Sequence, residues 1–317
     1  MRISRPGLAA IFVVLAAPLA SAGTGIFGND KPNVLILLDS SGSMVDYISA
    51  LPAYNPATTY ASQGYVTAAV YRRSGSEYFL YANAVADVSL AAARTSLTTY
   101  GIWFGDINGV PLQLFTGNYL NYQFCTVCKT QQQKMTIAKR LINRMVGLIT
   151  DARFGVVKFY NSGGSGSGGA SMVAPIGTAA GDIVTAVNGI SATGYTPLGE
   201  ALRDVGTYYK GQFGSPVYSS PIQSACQLNS TIIISDGMQN GTVDVRTQAT
   251  YRFTQDHSTA YSGVQNVVVH TIGFSMDPAE RLQALAVLQT AAGNGGGSFF
   301  AADDSAQLEQ ALFALPP

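Results

Sequence analysis

Charge is scarce in this chain: Asp, Glu, Lys and Arg make up 11% of 317 residues, and 18 basic residues balance 18 acidic ones. A neutral chain with no basic cluster has no electrostatic footprint for a phosphate backbone or an anionic membrane, which excludes nucleic acid as a partner. Histidine is almost absent, with His257 and His270 alone. Neither has the spacing of a zinc ligand pair, and no G-x-S-x-G turn offers a serine nucleophile. His270 sits inside an apolar strand and reads as a packed core residue. Long apolar runs are also missing beyond the N-terminus, and the stretch Leu8–Leu19 is shorter than the roughly 20 residues of a membrane span. Arg2 and Arg5 precede that stretch and Ala20-Ser21-Ala22 follows it, the pattern of a secretory signal over 1–22. The expected product is exported, to the periplasm or the outer cell surface, with no transmembrane segment after cleavage.

Three cysteines, Cys125, Cys128 and Cys226, suit an oxidising compartment and leave one unpaired. A disulfide using two of them is the leading reading. A zinc site lacks a second ligand pair, and thioredoxin-like redox chemistry lacks a framing βαβ unit.

What the chain does have is a succession of buried-strand segments. Asn33–Leu38, Phe154–Phe159, Thr231–Ser235, Val267–Phe274 and Ser298–Ala302 are apolar runs of strand length. Helical segments alternate with them. In Lys134–Ile149, residues Ile137, Leu141, Met145 and Leu148 share one face. Leu198–Tyr209 is a second helix, with Pro197 suited to its first position. Pro278–Ala292 is a third, capped by Asp277 and ended by Gly293. The alternation predicts an α/β fold with a doubly wound, mainly parallel sheet flanked by helices, over residues 32–315. Residues 45–130 break the pattern and hold ten of the seventeen tyrosines. They read as a large insertion after the first strand, either a loop packed on the domain or a binding surface. Tyr65–Tyr71 and Glu77–Tyr81 suggest a hairpin within it, and Ser162–Gly169 reads as a flexible surface loop. No internal repeat is present.

The first strand, "NVLILLDSSGSM", runs into an acid followed by serines. Open parallel sheets bind ligands at the carboxyl ends of their strands, and Asp39 would be delivered there. Asp39-x-Ser41-x-Ser43 gathers one carboxylate and two hydroxyls on a turn. "TIIISDG" ends a second strand in Asp236, and "TGYTPLGEAL" places Thr196 on a loop before a helix. Asp39, Ser41, Ser43, Thr196 and Asp236 together make an all-oxygen set with two acids, suited to a hard divalent cation that keeps water or an outside ligand. Mg²⁺ fits best, with Mn²⁺ or Ca²⁺ as alternatives. An aspartyl-phosphate enzyme built on Asp39 would want a second acid where Ser41 stands, so a hydrolase or phosphotransferase is disfavoured.

These five residues resemble the metal-ion-dependent adhesion site of von Willebrand factor type A domains, with D-x-S-x-S, the threonine and the second aspartate all in place. The insertion, "TGNYLN" (116–121), "FGVVKF", "TGYTPLGEAL" and the order Cys226 then "ISDG" further resemble the N-terminal domain of type IV pilus tip-associated adhesins of the PilY1 type. Those adhesins continue into a C-terminal β-propeller with a calcium site; no D-x-D-x-D-G loop occurs here, so nothing owed to the propeller is carried over. The resemblance implies a metal-dependent adhesion module at a pilus tip or cell surface, docking an Asp or Glu carboxylate from a protein ligand. A structural pilus-assembly factor that binds minor pilins is the alternative. No enzymatic activity is expected.

Overall fold

The structure, a computed structural model, describes residues 30–164 and 167–315; the segment read as a secretory signal, 1–22, lies outside them. In chain order the strands and helices begin with β1 (Asn33–Leu38), β2 (Tyr47–Ala50), β3 (Val70–Ser74), β4 (Glu77–Ala82) and α1 (Ala91–Tyr100). There follow β5 (Ile102–Ile107), β6 (Val110–Thr116), α2 (Gly117–Gln123), β7 (Thr130–Gln133) and α3 (Lys134–Leu148). Next come β8 (Arg153–Gly164), β9 (Ser167–Ala174), α4 (Ala180–Asn188), α5 (Leu198–Tyr209) and β10 (Asn229–Ser235). The last five are α6 (Val245–Thr254), β11 (Val268–Phe274), α7 (Arg281–Asn294), β12 (Gly296–Ala302) and α8 (Ser305–Ala314).

The main sheet has the order β12-β11-β10-β1-β8-β9. All its pairings are parallel except β8 with β9. Every residue of β1 is buried, because both faces of the sheet are covered. Val34, Ile36 and Leu38 pack with Leu141, Ile183 and Leu308 from α3, α4 and α8. Leu35 and Leu37 face the other way, toward Leu202, Ala249 and Leu288 from α5, α6 and α7. This two-sided burial is why the strand is apolar throughout instead of alternating. From β1 the chain steps to β8 on one side, then crosses to β10 on the other. The switch point is therefore the crevice between the carboxyl ends of β1 and β10.

The insertion is more ordered than its sequence suggests. It leaves and returns through an antiparallel ribbon, β2 with β7, pairing Tyr47 with Gln133 and Ala50 with Thr130. Beyond the ribbon, an antiparallel sheet β4-β3-β6-β5 carries two small cores. Val70, Leu97, Trp103 and Leu114 form one, under α1. Tyr71, Ile102, Phe115, Tyr119 and Tyr122 form the other, toward α2 and the main domain. The expected hairpin is β3–β4, and its first strand begins at Val70, not Tyr65. The asparagines of "TGNYLN" hold the preceding loop: Asn118 Oδ1 accepts from Tyr60 N (3.0 Å) and Asn121 Oδ1 from Gln63 N (2.7 Å).

Three local expectations need correction. Ser162–Gly169 is not simply a loop, because β8 and β9 continue into it as a hairpin with Asn161 paired to Gly168. Glycine-rich strands lack a side-chain pattern, so backbone pairing is invisible in composition. Asp277 holds a turn, its carboxylate accepting from Ala279 N, and α7 starts only at Arg281. That helix runs past Gly293 and ends at Asn294; Gly296, at φ +67°, turns the chain into β12. Among the pairings left open for cysteine, Cys125 and Cys128 are bonded, and Cys226 is free and exposed.

Both histidines are buried. His270 Nδ1 accepts a hydrogen bond from Ser298 N at 3.0 Å, and His257 Nδ1 lies 3.2 Å from the Gln265 carbonyl. Burial lowers the pKa of each to about 4. A depressed histidine pKa means the unfolded chain, titrating near 6.5, takes up protons that the folded chain refuses. Their contribution is complete above that pH and is lost as pH falls toward 4. Urea unfolding at pH 7 and pH 5 should therefore show a loss of roughly 2 kcal/mol per histidine at the lower pH. His270→Asn should flatten that dependence, and an unchanged slope would contradict the assignment.

Candidate metal centre

Three loops meet at the β1/β10 crevice. The first follows β1. Leu38 lies opposite Ile234, so Asp39 comes to rest beside Ser235, and Asp39 N donates to the Ile234 carbonyl at 2.9 Å. The carboxylate of Asp39 is fully buried and fully engaged. Oδ1 accepts from Ser41 N (2.8 Å) and Ser41 Oγ (2.5 Å), and Oδ2 accepts from Ser235 Oγ (2.6 Å). Ser41 Oγ is 3.1 Å from Ser43 Oγ, which donates to Asp236 Oδ1 at 2.7 Å. A continuous run of oxygens thus joins the acid of one strand to the acid of the next.

The second loop carries Thr196. Thr193 N donates to the Ser40 carbonyl (2.7 Å) and Gly42 N to the Gly194 carbonyl (3.0 Å), which lays this loop against the Asp39 turn. Thr196 is buried, and Asn240 holds both its backbone groups: Thr196 N donates to Asn240 Oδ1 (3.1 Å) and Asn240 N to the Thr196 carbonyl (2.9 Å). Pro197 precedes α5 as its cap and is not its first residue.

The third loop follows Asp236 and is fixed by α5. Glu200 Oε1 accepts from Thr242 N (2.7 Å) and Val243 N (3.0 Å). A Cβ at Gly199 would lie 1.9 Å from the Val243 carbonyl oxygen, so only glycine allows this approach. The "TPLGE" segment therefore positions two of the three loops.

Four contributors escaped the sequence reading: Ser235, Asn240, Glu200 and Lys134. Ser235 was legible in principle, since parallel pairing of two strands that both end in an acid sets it beside Asp39. Lys134 gave no signal. It opens α3, is buried, and its Nζ donates to Asp236 Oδ2 at 2.8 Å.

Burial first, and then the nearby Asp236 charge, push the Asp39 carboxyl up to about 6, while hydrogen bonds from Ser235 and Ser41 work to lower it. Among the described residues no three of His, Cys, Asp and Glu gather as a metal cluster. The donor set at the crevice is carboxylate and hydroxyl oxygen. Octahedral Mg²⁺ with ligands at 2.0–2.1 Å sets adjacent oxygens about 2.9 Å apart. The run from Asp39 to Asp236 has oxygens 2.5, 3.1 and 2.7 Å apart. The residues fit a small hard cation.

No protein-family model matches the chain, and no curated protein matches it. Solved structures match it at low identity. An aerotolerance-related membrane protein from Bacteroides fragilis is 13% identical, covering 90% of this chain and 98% of that one, with a TM-score of 0.44. The von Willebrand factor type A protein from Catenulispora acidiphila is 14% identical, over 89% of this chain and 41% of that one, with a TM-score of 0.44. Proximal thread matrix protein 1 from the mussel byssus, solved with a zinc-occupied metal-ion-dependent adhesion site, is 11% identical over 90% and 44% of the two chains, with a TM-score of 0.44. The likeness is one of fold. Strand order and register, described above, define the α/β class here. No helix among the described residues is long and apolar enough to cross a membrane.

Proposed function

We propose that this chain is a metal-dependent protein-interaction module. Its cation, most readily Mg²⁺, would be held by Asp39, Ser41, Ser43, Thr196 and Asp236. When bound, such a cation supplies an electrophilic point for an acidic side chain of a partner. The observation that carries this reading is the unbroken oxygen run from Asp39 to Asp236. Two acids, partly offset by Lys134, leave little excess negative charge, so a carboxylate from outside is not repelled. Val45, Tyr47 and Tyr195 are exposed in the segments that flank the site. They offer apolar and aromatic contact around a polar centre, which suits a protein partner. Binding is favoured over turnover because the two histidines are engaged within the fold, His270 mid-sheet opposite Ile232.

Export rests on the secretory-signal pattern of residues 1–22, and work at a type IV pilus tip, as an adhesin or in pilus assembly, on the order of the sequence motifs. The full chain should bind its partner with 1 mM Mg²⁺ and release it in EDTA. Purified minor pilins and a host-surface preparation, tested in parallel, separate assembly from adhesion. Tyr47→Ala and Tyr195→Ala should weaken partner capture about tenfold while leaving Mn²⁺ titration unchanged. Capture that persists in EDTA would overturn the metal-dependent reading.

A further inference from the structure

Lys134 is a charge that the oxygen-ligand pattern does not call for. Its side chain is 6% exposed, and Nζ lies 2.8 Å from Asp236 Oδ2 and 3.8 Å from Asp46 Oδ2. Asp46 is on the surface, with its side chain 63% exposed. The two residues are also joined through the backbone, since Lys134 N donates to the Asp46 carbonyl at 3.0 Å. That bond sits at the base of the β2–β7 ribbon, next to the Tyr47–Gln133 pair. An ammonium is therefore tethered between a buried acid of the metal site and an exposed acid at the root of the insertion.

We infer that Lys134 is a built-in competitor for the cation and sets the affinity of the site, with Asp46 as its second seat. This inference rests on the metal-dependent reading above. A divalent cation and an ammonium on the same carboxylate repel each other across a poorly solvated gap, so one weakens the other. When the cation binds, Lys134 loses attraction from Asp236 and leans on Asp46, whose carboxylate is already close. Of the two buried acids, Asp236 is the one the ammonium pairs with, which offsets its charge. Because Lys134 and Asp46 bracket the ribbon, cation binding would be felt where the insertion joins the domain.

The test is titration of the full chain with Mn²⁺ and Mg²⁺ by calorimetry, for wild type, Lys134→Met and Asp46→Asn. Methionine keeps an unbranched chain and removes the charge. Lys134→Met should bind roughly tenfold more tightly, and its melting temperature should rise more on adding Mg²⁺ than that of wild type. Asp46→Asn, at an exposed position, should bind about threefold more weakly, because Lys134 then stays on Asp236. Lys134→Met that folds, by circular dichroism, but binds as wild type does overturns the inference and leaves the metal site standing. If Lys134→Met does not fold, Asp46→Asn decides: weaker binding supports the inference and unchanged binding overturns it. If neither wild type nor Lys134→Met binds either metal, the metal site itself is wrong and the inference falls with it.

Discussion

Asp39→Asn should abolish divalent-cation binding, by more than a hundredfold in calorimetric titration with Mn²⁺, without unfolding the chain. The carboxylate is the centre of the first loop, with Ser41 and Ser235 both donating to it. Asparagine keeps the shape and one acceptor oxygen but loses the charge that attracts the cation. The effect on the metal-free fold runs the other way. A folded pKa of about 6 lies above the ordinary aspartate value of 3.8. The folded state thus holds a proton that the unfolded chain releases, and the associated stability is present below pH 4 and lost as pH rises through 6. At neutral pH, ionised Asp39 costs the metal-free fold on the order of 2–3 kcal/mol, which Asn escapes. Thermal melting in EDTA at pH 7.5 should show Asp39→Asn at least as stable as wild type. Adding Mg²⁺ should then raise the wild type alone. The two histidines titrate in the same interval with the opposite sign, and together they outweigh one aspartate. Asp39→Asn should therefore be more acid-sensitive than wild type. A variant that keeps wild-type Mn²⁺ affinity would remove Asp39 from the site.

The parts of this molecule that were legible in sequence are those where one physical demand dominates. β1 is sandwiched between two helical layers, so its apolar run could hardly be anything but a central strand, and its bounds are those expected. The helix read over Lys134–Ile149 buries one face and forms over Lys134–Leu148, and Leu198–Tyr209 has the bounds expected although it is buried almost all round. Asp39, Ser41, Ser43 and Asp236 are joined by short contacts, and the Thr196 loop is tied to the same turn. The insertion was harder. Its strands are short, contain Gly105 and Pro111, and bury tyrosines whose hydroxyls mimic surface polarity. Tyr119 is 1% exposed and Tyr122 4% exposed. Lys134 was unreadable for another reason. A lysine at a helix start looks solvated, and only the tertiary meeting of α3 with the end of β10 gives it an acid to pair with.

Glu309→Ala should be the most destabilising single change outside the sheet, because one carboxylate fastens the insertion to the domain. Glu309 lies on α8, is 4% exposed, and accepts from the Tyr119 hydroxyl at 2.5 Å. Arg144 Nε, from α3, is 3.1 Å from Glu309 Oε1, close enough to pair as charges though outside hydrogen-bond alignment. The guanidinium also stacks over Tyr119, 4.9 Å from the ring centroid, and donates to the Tyr100 carbonyl at 2.5 Å. Burial works against the Arg144 charge, but the Glu309 carboxylate, together with Tyr119, Tyr122 and Tyr54, more than offsets it and holds the arginine pKa above its usual value. Removing the acid strands a buried cation beside a buried phenol, a situation that typically costs about 3–5 kcal/mol. Against a total stability of about 5–15 kcal/mol this is a large fraction, and melting should fall by roughly 10 °C. Glu309→Gln keeps an acceptor for Tyr119 but not the charge, so its loss should be intermediate. Replacing both charges, Arg144→Met with Glu309→Leu, should recover much of the deficit, since apolar residues of similar size avoid the desolvation of the ions. If the double variant is no better than Glu309→Ala, then stacking on Tyr119 matters more than charge pairing. Hydrogen exchange separates local from global loss. Protection in α2 and β6 should drop first in Glu309→Ala, while β1 and β10, which frame the metal centre, should hold theirs.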